Sequence, residues 1–315
     1  MKPIPTKDDL LNARQRIQKY IHKTPVMTSR SINELLQCNL FFKCENLQRA
    51  GAFKMRGATN ALLSLSNEEL KKGVITHSSG NHAAALSLAA KTFKTKATVV
   101  MPRTAPEFKK QSVVNFGAEV IFCEPTVESR VTTTNSLIEK YNYTLIHSYD
   151  NPNIIAGQST AAWELFEEIQ NLDFIVSPVG GGGVSSGACL ACKYFNPKVK
   201  VIGAEPKGAD DAYRSLRDKK IYPSINPKSI ADGLLTQLSE LTYSILSENI
   251  KEIITVDDDK IVEAMKLIYE RLKIIVEPSS AITLAVILEK KAQFKNKNVG
   301  LIITGGNVDL NKLPF

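Results

Sequence analysis

Lys54 has the clearest potential for covalent chemistry, because small residues and an aromatic ring surround it in the sequence. The stretch Gly51–Ala58 reads Gly-Ala-Phe-Lys-Met-Arg-Gly-Ala. Such neighbours remove part of the hydration of a lysine, which favours the neutral amine and allows it to attack a carbonyl group. The alternative on these residues alone is an ordinary cation at a helix start. Helical spacing from Gly57 to Leu65 places Lys54 at or just before a helix N-terminus.

A polar turn follows the apolar run that begins at Val74. It consists of Ser78, Ser79, Gly80, Asn81 and His82, and an alanine-rich helical segment comes next. Backbone N–H groups at such a helix start can hold a carboxylate, while the hydroxyl and amide side chains point at a bound ligand. A simple helix cap is the alternative. His82 can equally be a packing histidine or a catalytic base.

Four successive glycines, Gly180, Gly181, Gly182 and Gly183, lie between an apolar run and another helical segment. A backbone without Cβ atoms can wrap closely around a phosphate with its N–H groups. A flexible linker and a dinucleotide-binding loop are the alternatives. The dinucleotide pattern needs glycine or alanine where Ser186 stands, although Glu205 lies at about the distance of a ribose-binding acid.

Two further segments carry polar groups after apolar runs. Glu205, Asp210 and Asp211 form an acidic turn whose oxygens suit Mg²⁺ or Ca²⁺, unless the turn is merely solvated. Thr304 ends an apolar run with a hydroxyl that could meet the ring nitrogen of a ligand. Either segment alone is also consistent with an ordinary turn.

Apolar, β-rich runs alternate with helical segments along most of the chain. This alternation predicts an α/β protein whose parallel sheets are connected by crossover helices, in which ligands lie beyond the carboxyl ends of the strands. The predicted strands are Leu40–Phe42, Val74–Thr76, Ala97–Met101, Val120–Cys123, Thr144–His147, Phe174–Val176, Val199–Ala204 and Val299–Ile303.

Composition narrows the possible classes of protein. The 315 residues are 43% hydrophobic, enough for one large domain or two medium ones. The net charge of +8 is spread among acidic neighbours, so we expect no nucleic-acid partner. No apolar run has the length of a membrane span, and residues 1–5 lack the apolar segment of a secretory signal, so we expect a cytoplasmic protein without membrane contact. Its five cysteines should be buried and reduced, including the CxxC pair Cys189 and Cys192.

These motifs together resemble the fold-type II pyridoxal-phosphate enzymes, whose fold is that of the tryptophan synthase β subunit. The resemblance implies two open, twisted, mainly parallel sheets flanked by helices. The Lys54 stretch, the Ser-Ser-Gly-Asn-His turn, the tetraglycine loop and the Thr304 segment carry the resemblance. The stretches Phe41–Asn46 and Ile155–Gln158 are similar to the branch of serine racemases and serine/threonine dehydratases, close to eukaryotic serine racemases and threo-3-hydroxyaspartate dehydratases. The likeness covers nearly the whole chain.

The resemblance implies a role for each matched residue. Lys54 would hold pyridoxal phosphate as a Schiff base, Phe53 would pack on its ring and Asn81 would bond its ring hydroxyl. Gly180–Gly183 would cradle the phosphate, and Thr304 would face the ring nitrogen without requiring its protonation. A divalent metal site (Mg²⁺, or Ca²⁺ or Mn²⁺) would use Glu205, the carbonyl of Ala209 and Asp211.

The resemblance also implies two reactions in one site. The substrate carboxylate would dock on the turn of residues 78–82, and Arg130 would approach the substrate side. Lys54 would remove the α-proton from one face, while Ser79 would serve the other. Reprotonation by Ser79 racemises serine, whereas loss of the β-hydroxyl yields pyruvate and ammonia. The main activity is therefore predicted to be serine racemase, with threo-3-hydroxyaspartate or threonine/serine ammonia-lyase as the alternative.

Residues 1–72 and 150–315 would form a large cofactor-binding domain, and residues 73–149 a small mobile domain that closes over the substrate. The resemblance further suggests a homodimer. ATP activation is left open, because Arg49 replaces a lysine of the animal enzymes, and Ser159 departs from the glycine common in the family. Two alternatives of other kinds remain, a non-catalytic sensor of pyridoxal phosphate or an amino acid, and a nicotinamide dehydrogenase that Ser186 disfavours.

Overall fold

A computed structural model describes residues 2–315, which form strands and helices in alternation. The strands are β1 (Val26–Met27), β2 (Asn39–Cys44), β3 (Val74–His77), β4 (Ala97–Pro102), β5 (Glu119–Cys123), β6 (Thr144–Leu145), β7 (Phe174–Pro178), β8 (Lys200–Pro206), β9 (Ile250–Val256) and β10 (Asn298–Ile303). The helices are α1 (Lys7–Ile17), α2 (Arg30–Leu36), α3 (Lys54–Leu63), α4 (Asn67–Lys72), α5 (Asn81–Thr92), α6 (Glu107–Asn115), α7 (Val127–Tyr141), α8 (Pro152–Glu168), α9 (Gly183–Phe195), α10 (Asp211–Arg217), α11 (Glu240–Asn249), α12 (Asp258–Leu272), α13 (Pro278–Glu289) and α14 (Lys291–Phe294).

The strands form two sheets, as the family resemblance implies. The larger sheet has the order β1-β2-β10-β7-β8-β9, and only the β1–β2 pair within it is antiparallel. The smaller sheet has the order β5-β4-β3-β6 and is parallel throughout. Its strands all lie within the segment predicted as the small domain, whose boundaries stay a prediction.

Most predicted strands overlap the observed ones, with end differences of up to two residues, whereas β1 and β9 were not predicted. The predicted run Thr144–His147 is too long, because β6 ends at Leu145. Strand β9 was not predicted, since its sequence Ile-Lys-Glu-Ile-Ile-Thr-Val opens with charged residues and lies at the edge of the large sheet. Edge strands keep part of their surface in water and therefore lack a continuous apolar pattern.

Apolar side chains fill the space on both faces of the large sheet. Helices α12 and α13 pack on one face, and α8 and α9 pack on the other, with separate clusters of buried side chains. Helix α8 also contacts α3, and α3 in turn contacts α5 of the smaller sheet. Helix α3 thereby packs against elements of both sheets.

The turn before α3 is attached to the end of β10. Phe53 N donates to Thr304 O at 2.9 Å, Gly306 N donates to Gly51 O at 3.0 Å, and Ala52 forms an antiparallel bridge with Gly305. These bonds bring Lys54 and Thr304 to the same place although the sequence separates them widely. Within residues 2–315, no helix combines the length and apolar character needed to cross a lipid bilayer.

Candidate active site

A cavity of ≈ 680 Å³ lies at the carboxyl ends of β3, β7 and β10, where ligands bind in parallel sheets. Its volume suits a cofactor together with a small substrate. It gathers most of the predicted site residues: Phe53, Lys54, Ser78, Ser79, Gly80, Asn81, His82, Arg130, Gly180, Gly181, Gly182, Gly183 and Thr304. Glu205, Ala209 and Asp211 do not line it.

Lys54 begins α3 and extends into this cavity. Its Nζ donates a hydrogen bond to the carbonyl oxygen of Ser148 at 3.0 Å and lies 4.9 Å from the centroid of the Phe53 ring. Burial lowers the pKa of Lys54 to about 8, against the opposing charge of Glu277. An appreciable share of the amine is therefore neutral near pH 8, as a nucleophile or a base requires.

Asn81 begins α5 and is held by two side chains. Its Nδ2 donates to Oε1 of Glu277 at 2.8 Å, and its Oδ1 accepts from Nδ2 of Asn307 at 2.9 Å. Glu277 is 5% exposed, and burial together with the charge of Asp232 raises its pKa to about 8. The carboxyl group of Glu277 is consequently mostly protonated at neutral pH.

The side chain of His82 is not available for proton transfer. It is buried, and Nε2 donates to the carbonyl oxygen of Ile146 at 2.9 Å. Burial, with a smaller effect of the Lys54 charge, lowers its pKa to about 3. The ring is therefore neutral at working pH with its only proton committed to Ile146, which favours the packing interpretation.

The tetraglycine loop connects β7 to the first turn of α9. A Cβ atom at Gly181 would lie 2.3 Å from the ring of Tyr149, and Gly182 has a φ of +82°. Glycine is therefore required at both positions. Within residues 2–315, the N–H groups of Gly180, Gly181 and Gly182 donate no hydrogen bond. Together with the start of α9 they form a cradle of free donors that suits a phosphate.

Thr304 and Arg130 complete the walls on which a ligand would lie. The hydroxyl of Thr304 is 2.9 Å from that of Ser280, which also bonds the backbone of Gly305. Arg130 belongs to α7, and within the described chain its guanidinium donates no hydrogen bond and forms no ion pair. An unpaired guanidinium in a cavity is suited to an anionic group of a substrate.

The acidic turn lies outside the cavity. The two oxygens of Glu205 accept the N–H groups of Ala212 and Tyr213, each at 2.8 Å, and burial raises the pKa of this carboxyl well above its usual range. Burial also raises the pKa of Asp211 to about 6, and its Oδ2 is buried without a hydrogen-bond partner. Among residues 2–315, no cluster of three or more His, Cys, Asp or Glu side chains is arranged to hold a metal. The set of two carboxylates and the Ala209 carbonyl stays a prediction that the unpartnered oxygen of Asp211 favours.

The surroundings of the CxxC pair and of Arg49 account for both without a ligand. Cys189 and Cys192 are unpaired and buried in α9, and burial raises the pKa of the Cys192 thiol to about 12, which makes it unreactive. Arg49 donates to the carbonyl oxygen of Tyr20 at 2.7 Å and to the hydroxyl of Thr92 at 3.5 Å.

The sequence did not indicate several residues of the cavity wall. Glu277 had a detectable signal, since a glutamate before a proline that begins an apolar helix is a typical helix start. Asn307 ends the Thr304 segment, but its contacts depend on the distant Asn81 and Ala50. Ser148 contributes a backbone carbonyl and Tyr149 a packing ring, and neither role leaves a sequence pattern.

Comparison with known proteins agrees with this geometry. The model of the family "pyridoxal-phosphate dependent enzyme" matches residues 17–305. The chain is 53% identical over 312 residues to serine racemase of Dictyostelium discoideum, covering 98% of this chain and 96% of that protein. It is 49% identical to beta-hydroxyaspartate dehydratase of Paracoccus denitrificans, covering 99% of each. The structure of maize serine racemase superposes with a TM-score of 0.96 at 44% identity, covering 98% of this chain and 95% of that one.

The fold and the cavity define a fold-type II pyridoxal-phosphate enzyme, as the resemblance predicted. The chain belongs to the family of pyridoxal-phosphate dependent enzymes. The cofactor fits the residues present, because the cavity supplies a partly neutral lysine for its carbonyl group and unpaired backbone donors for its phosphate.

Proposed function

We propose that this protein is a serine racemase that also eliminates water from serine to release pyruvate and ammonia. The observation that carries the proposal is the position of Lys54, whose amine has a lowered pKa and shares one cavity with the Ser78–His82 turn and the tetraglycine loop. Relatives named serine racemase at 53% and 48% identity support this choice of reaction.

Lys54 would bind the cofactor carbonyl, the tetraglycine loop its phosphate, Phe53 its ring, Asn81 its ring oxygen and Thr304 its ring nitrogen. When bound, pyridoxal phosphate withdraws electrons from the substrate Cα and so makes the α-proton removable. The protein then has to orient the substrate and to hold and move that proton.

The start of α5 would orient the substrate. The N–H groups and hydroxyls of the turn at residues 78–82 would bind the substrate carboxylate, which also places a negative charge at the positive end of the helix. The N–H of Gly80 donates to Oγ of Ser78 at 3.3 Å in the structure and would exchange this bond for the carboxylate. The uncharged Lys54 amine would take the α-proton on one face of the substrate. The hydroxyl of Ser79 would give or take it on the other face.

A second candidate activity is ammonia-lyase action on 3-hydroxyaspartate, and Arg130 is the observation that favours it. The unpaired guanidinium in the cavity suits a second carboxylate better than the uncharged side chain of serine. The relative named beta-hydroxyaspartate dehydratase, at 49% identity, supports this candidate. Comparing kcat/KM for the two substrates decides between them.

The proposal also includes a metal site, an oligomeric state and a cellular compartment. We propose Mg²⁺, Ca²⁺ or Mn²⁺ at Glu205, Ala209 and Asp211, a homodimer, and a cytoplasmic protein whose segment 73–149 closes over the substrate. Five unpaired, buried cysteines support a reducing compartment. Turnover of any β-hydroxy amino acid would exclude the alternative of a non-catalytic sensor.

The experiment that tests the proposal is a chiral assay of L-serine run together with an assay of pyruvate, on wild type and Ser79→Ala. Elimination from L-serine needs only Lys54, whereas racemisation needs both faces. Racemisation should fall by roughly 10²- to 10⁴-fold in the variant, while pyruvate formation from L-serine persists. With D-serine as substrate, elimination should fall together with racemisation.

Ser87→Ala is the matched control, because Ser87 is buried in α5, the helix that follows Ser79, and donates to the Ala83 carbonyl at 2.7 Å. It should leave the ratio of the two reactions unchanged. Equal losses of both L-serine reactions in Ser79→Ala would contradict the assignment of Ser79. No turnover of serine or 3-hydroxyaspartate by cofactor-loaded wild type would contradict the proposed function.

A further inference from the structure

Three side chains from separate segments form a closed hydrogen-bonded group beside the Lys54 turn. Glu277 precedes α13, Asn81 begins α5, and Asn307 follows β10. Asn81 bonds both others, and the backbone N–H of Asn307 donates to the Glu277 carboxyl. Asn81 and Glu277 line the cavity, whereas Asn307 stands behind them.

The direction of these hydrogen bonds follows from one backbone carbonyl. Nδ2 of Asn307 lies 2.9 Å from the carbonyl oxygen of Ala50, which can only accept. The amino end of Asn307 therefore faces this side and donates its second proton to Asn81, also at 2.9 Å. The atom of Asn81 that receives it must be the oxygen Oδ1, so the amino group of Asn81 points toward Glu277.

This arrangement leaves one donor available on Asn81. Its Nδ2 carries two protons, of which one is donated to Glu277 at 2.8 Å. Since Asn81 lines the cavity, the other proton can be donated to a ligand. If the amide were reversed, its oxygen would face Glu277 and the ligand, while its amino group would face the amino group of Asn307.

Two glycines allow the three side chains to approach one another. A Cβ atom at Gly305 would lie 2.7 Å from Oε1 of Glu277 and 3.1 Å from Nδ2 of Asn81. A Cβ atom at Gly51 would lie 2.5 Å from Oδ1 of Asn307. Both glycines belong to the segments that join β10 to the Lys54 turn, so the group is part of the architecture that places Lys54.

We propose that Glu277 and Asn307 are positioning residues that fix the orientation of the Asn81 amide, so that its N–H and not its carbonyl faces the ring oxygen of pyridoxal phosphate. This inference rests on the proposed function, which places that ring oxygen beside Asn81. A hydrogen bond donated to the ring oxygen favours its ionised form. Glu277 and Asn307 therefore act on the cofactor through Asn81, without contacting it.

The test uses two pairs of variants. Glu277→Met removes the acceptor at nearly constant volume, whereas Glu277→Gln keeps an oxygen acceptor in a neutral side chain. Asn307→Asp replaces the amino group that donates to Asn81 and Ala50 with an oxygen. Its control is Asn298→Asp at the other end of β10, where Asn298 bonds Asn39 and Asn171 and lies outside the cavity.

Two readouts other than turnover are measured on each purified protein. The first is the dissociation constant of added pyridoxal phosphate, obtained by titration. The second is the pH dependence of the visible absorption of the bound cofactor, which reports the ionisation of its ring oxygen. Glu277→Met and Asn307→Asp should raise the dissociation constant roughly ten- to a hundredfold and should weaken the absorption of the ionised form. Glu277→Gln and Asn298→Asp should resemble wild type.

The outcomes separate this inference from the function on which it rests. Wild-type spectra in both Glu277→Met and Asn307→Asp, with the cofactor bound normally, would overturn the positioning role and leave the proposed function intact. Equal spectral changes in Glu277→Gln and Glu277→Met would also overturn it, because a property of the carboxyl group other than its acceptor oxygen would then matter. Failure of wild type to bind the cofactor at Lys54 would refute the proposed function itself. If one variant does not fold, the other pair decides.

Discussion

Lys54 and Arg56 lie two positions apart on α3, yet their buried charges have very different surroundings. All five N–H groups of Arg56 are donated, at 2.7 to 3.0 Å, to Glu45, Glu164 and Thr160. Burial alone would lower the pKa of Arg56, but the charges and hydrogen bonds of the two glutamates raise it. Lys54 has only the Ser148 carbonyl and the Phe53 ring, and burial lowers its pKa to about 8.

The difference distinguishes a set of paired charges in the core from a set of ionisable side chains at the cavity. Lys43 extends the first group by bonding Glu164 at 2.7 Å, so that two cations face two carboxylates inside the core. The cavity group of Lys54, Glu277 and His82 is instead dominated by burial, which favours the neutral form of each residue. Breaking a fully paired group of buried charges is costly for the fold, whereas a buried ionisable group with few partners shifts toward its neutral form.

The largest effect on stability should come from breaking the paired group. Arg56→Met leaves Glu45 and part of Glu164 as uncompensated buried carboxylates, so we expect a loss of about 3–5 kcal/mol in the free energy of unfolding. Denaturant titration measures it. Arg30→Met is the control, because the Arg30–Glu34 pair is 92% and 64% exposed and should contribute less than about 1 kcal/mol. Similar losses in both variants would contradict the distinction between the two groups.

A smaller effect is expected from the metal. If Asp211 and Glu205 bind a divalent ion, Mg²⁺ at a hundred times its dissociation constant should stabilise the protein by about 2.7 kcal/mol. The rise in Tm should be lost in Asp211→Ala and also below pH 6, where Asp211 gains a proton. Asp210→Ala is the control, since Asp210 pairs with Arg214 at 2.8 Å. An unchanged response in Asp211→Ala would remove Asp211 from the site.

The remaining effect concerns His82 and acid stability. Its pKa falls from 6.5 to about 3 on folding, so its contribution is complete above pH 6.5 and is lost as the pH falls toward 3. One proton changes stability by at most about 1.4 kcal/mol per pH unit. Denaturant titrations between pH 7 and 4 should therefore decline less steeply for His82→Gln than for wild type. Parallel curves would show that His82 is not neutral and buried in solution.

The sequence predicts the secondary structure of this protein better than the surroundings of its buried charged side chains. Alternating apolar and helical segments indicate parallel sheets, and the position of Lys54 at a helix start follows from local spacing. The direction of the Lys54 pKa shift was also predicted, although the burial that lowers it is complete only in the folded chain. The site roles assigned through the family resemblance remain predictions.

What the sequence does not reveal depends on contacts between distant segments. Glu277 lies 196 positions from Asn81, and its raised pKa results from burial that only the folded chain creates. The five bonds of Arg56 join α3 to α8 and to the turn after β2, so its structural role is invisible in the local sequence. No periodic pattern distinguishes the fully paired Arg56 from the sparsely paired Lys54.

The most direct test of the central claim is to reduce the cofactor-loaded protein with borohydride and to map the labelled peptide. The account predicts that the label lies on Lys54, that the purified protein absorbs visible light, and that Lys54→Ala loses both properties while remaining folded. Retained stability is expected because Lys54, unlike Arg56, makes no ion pair within the described chain. A label on another lysine, or an unlabelled but active wild-type protein, would contradict the account.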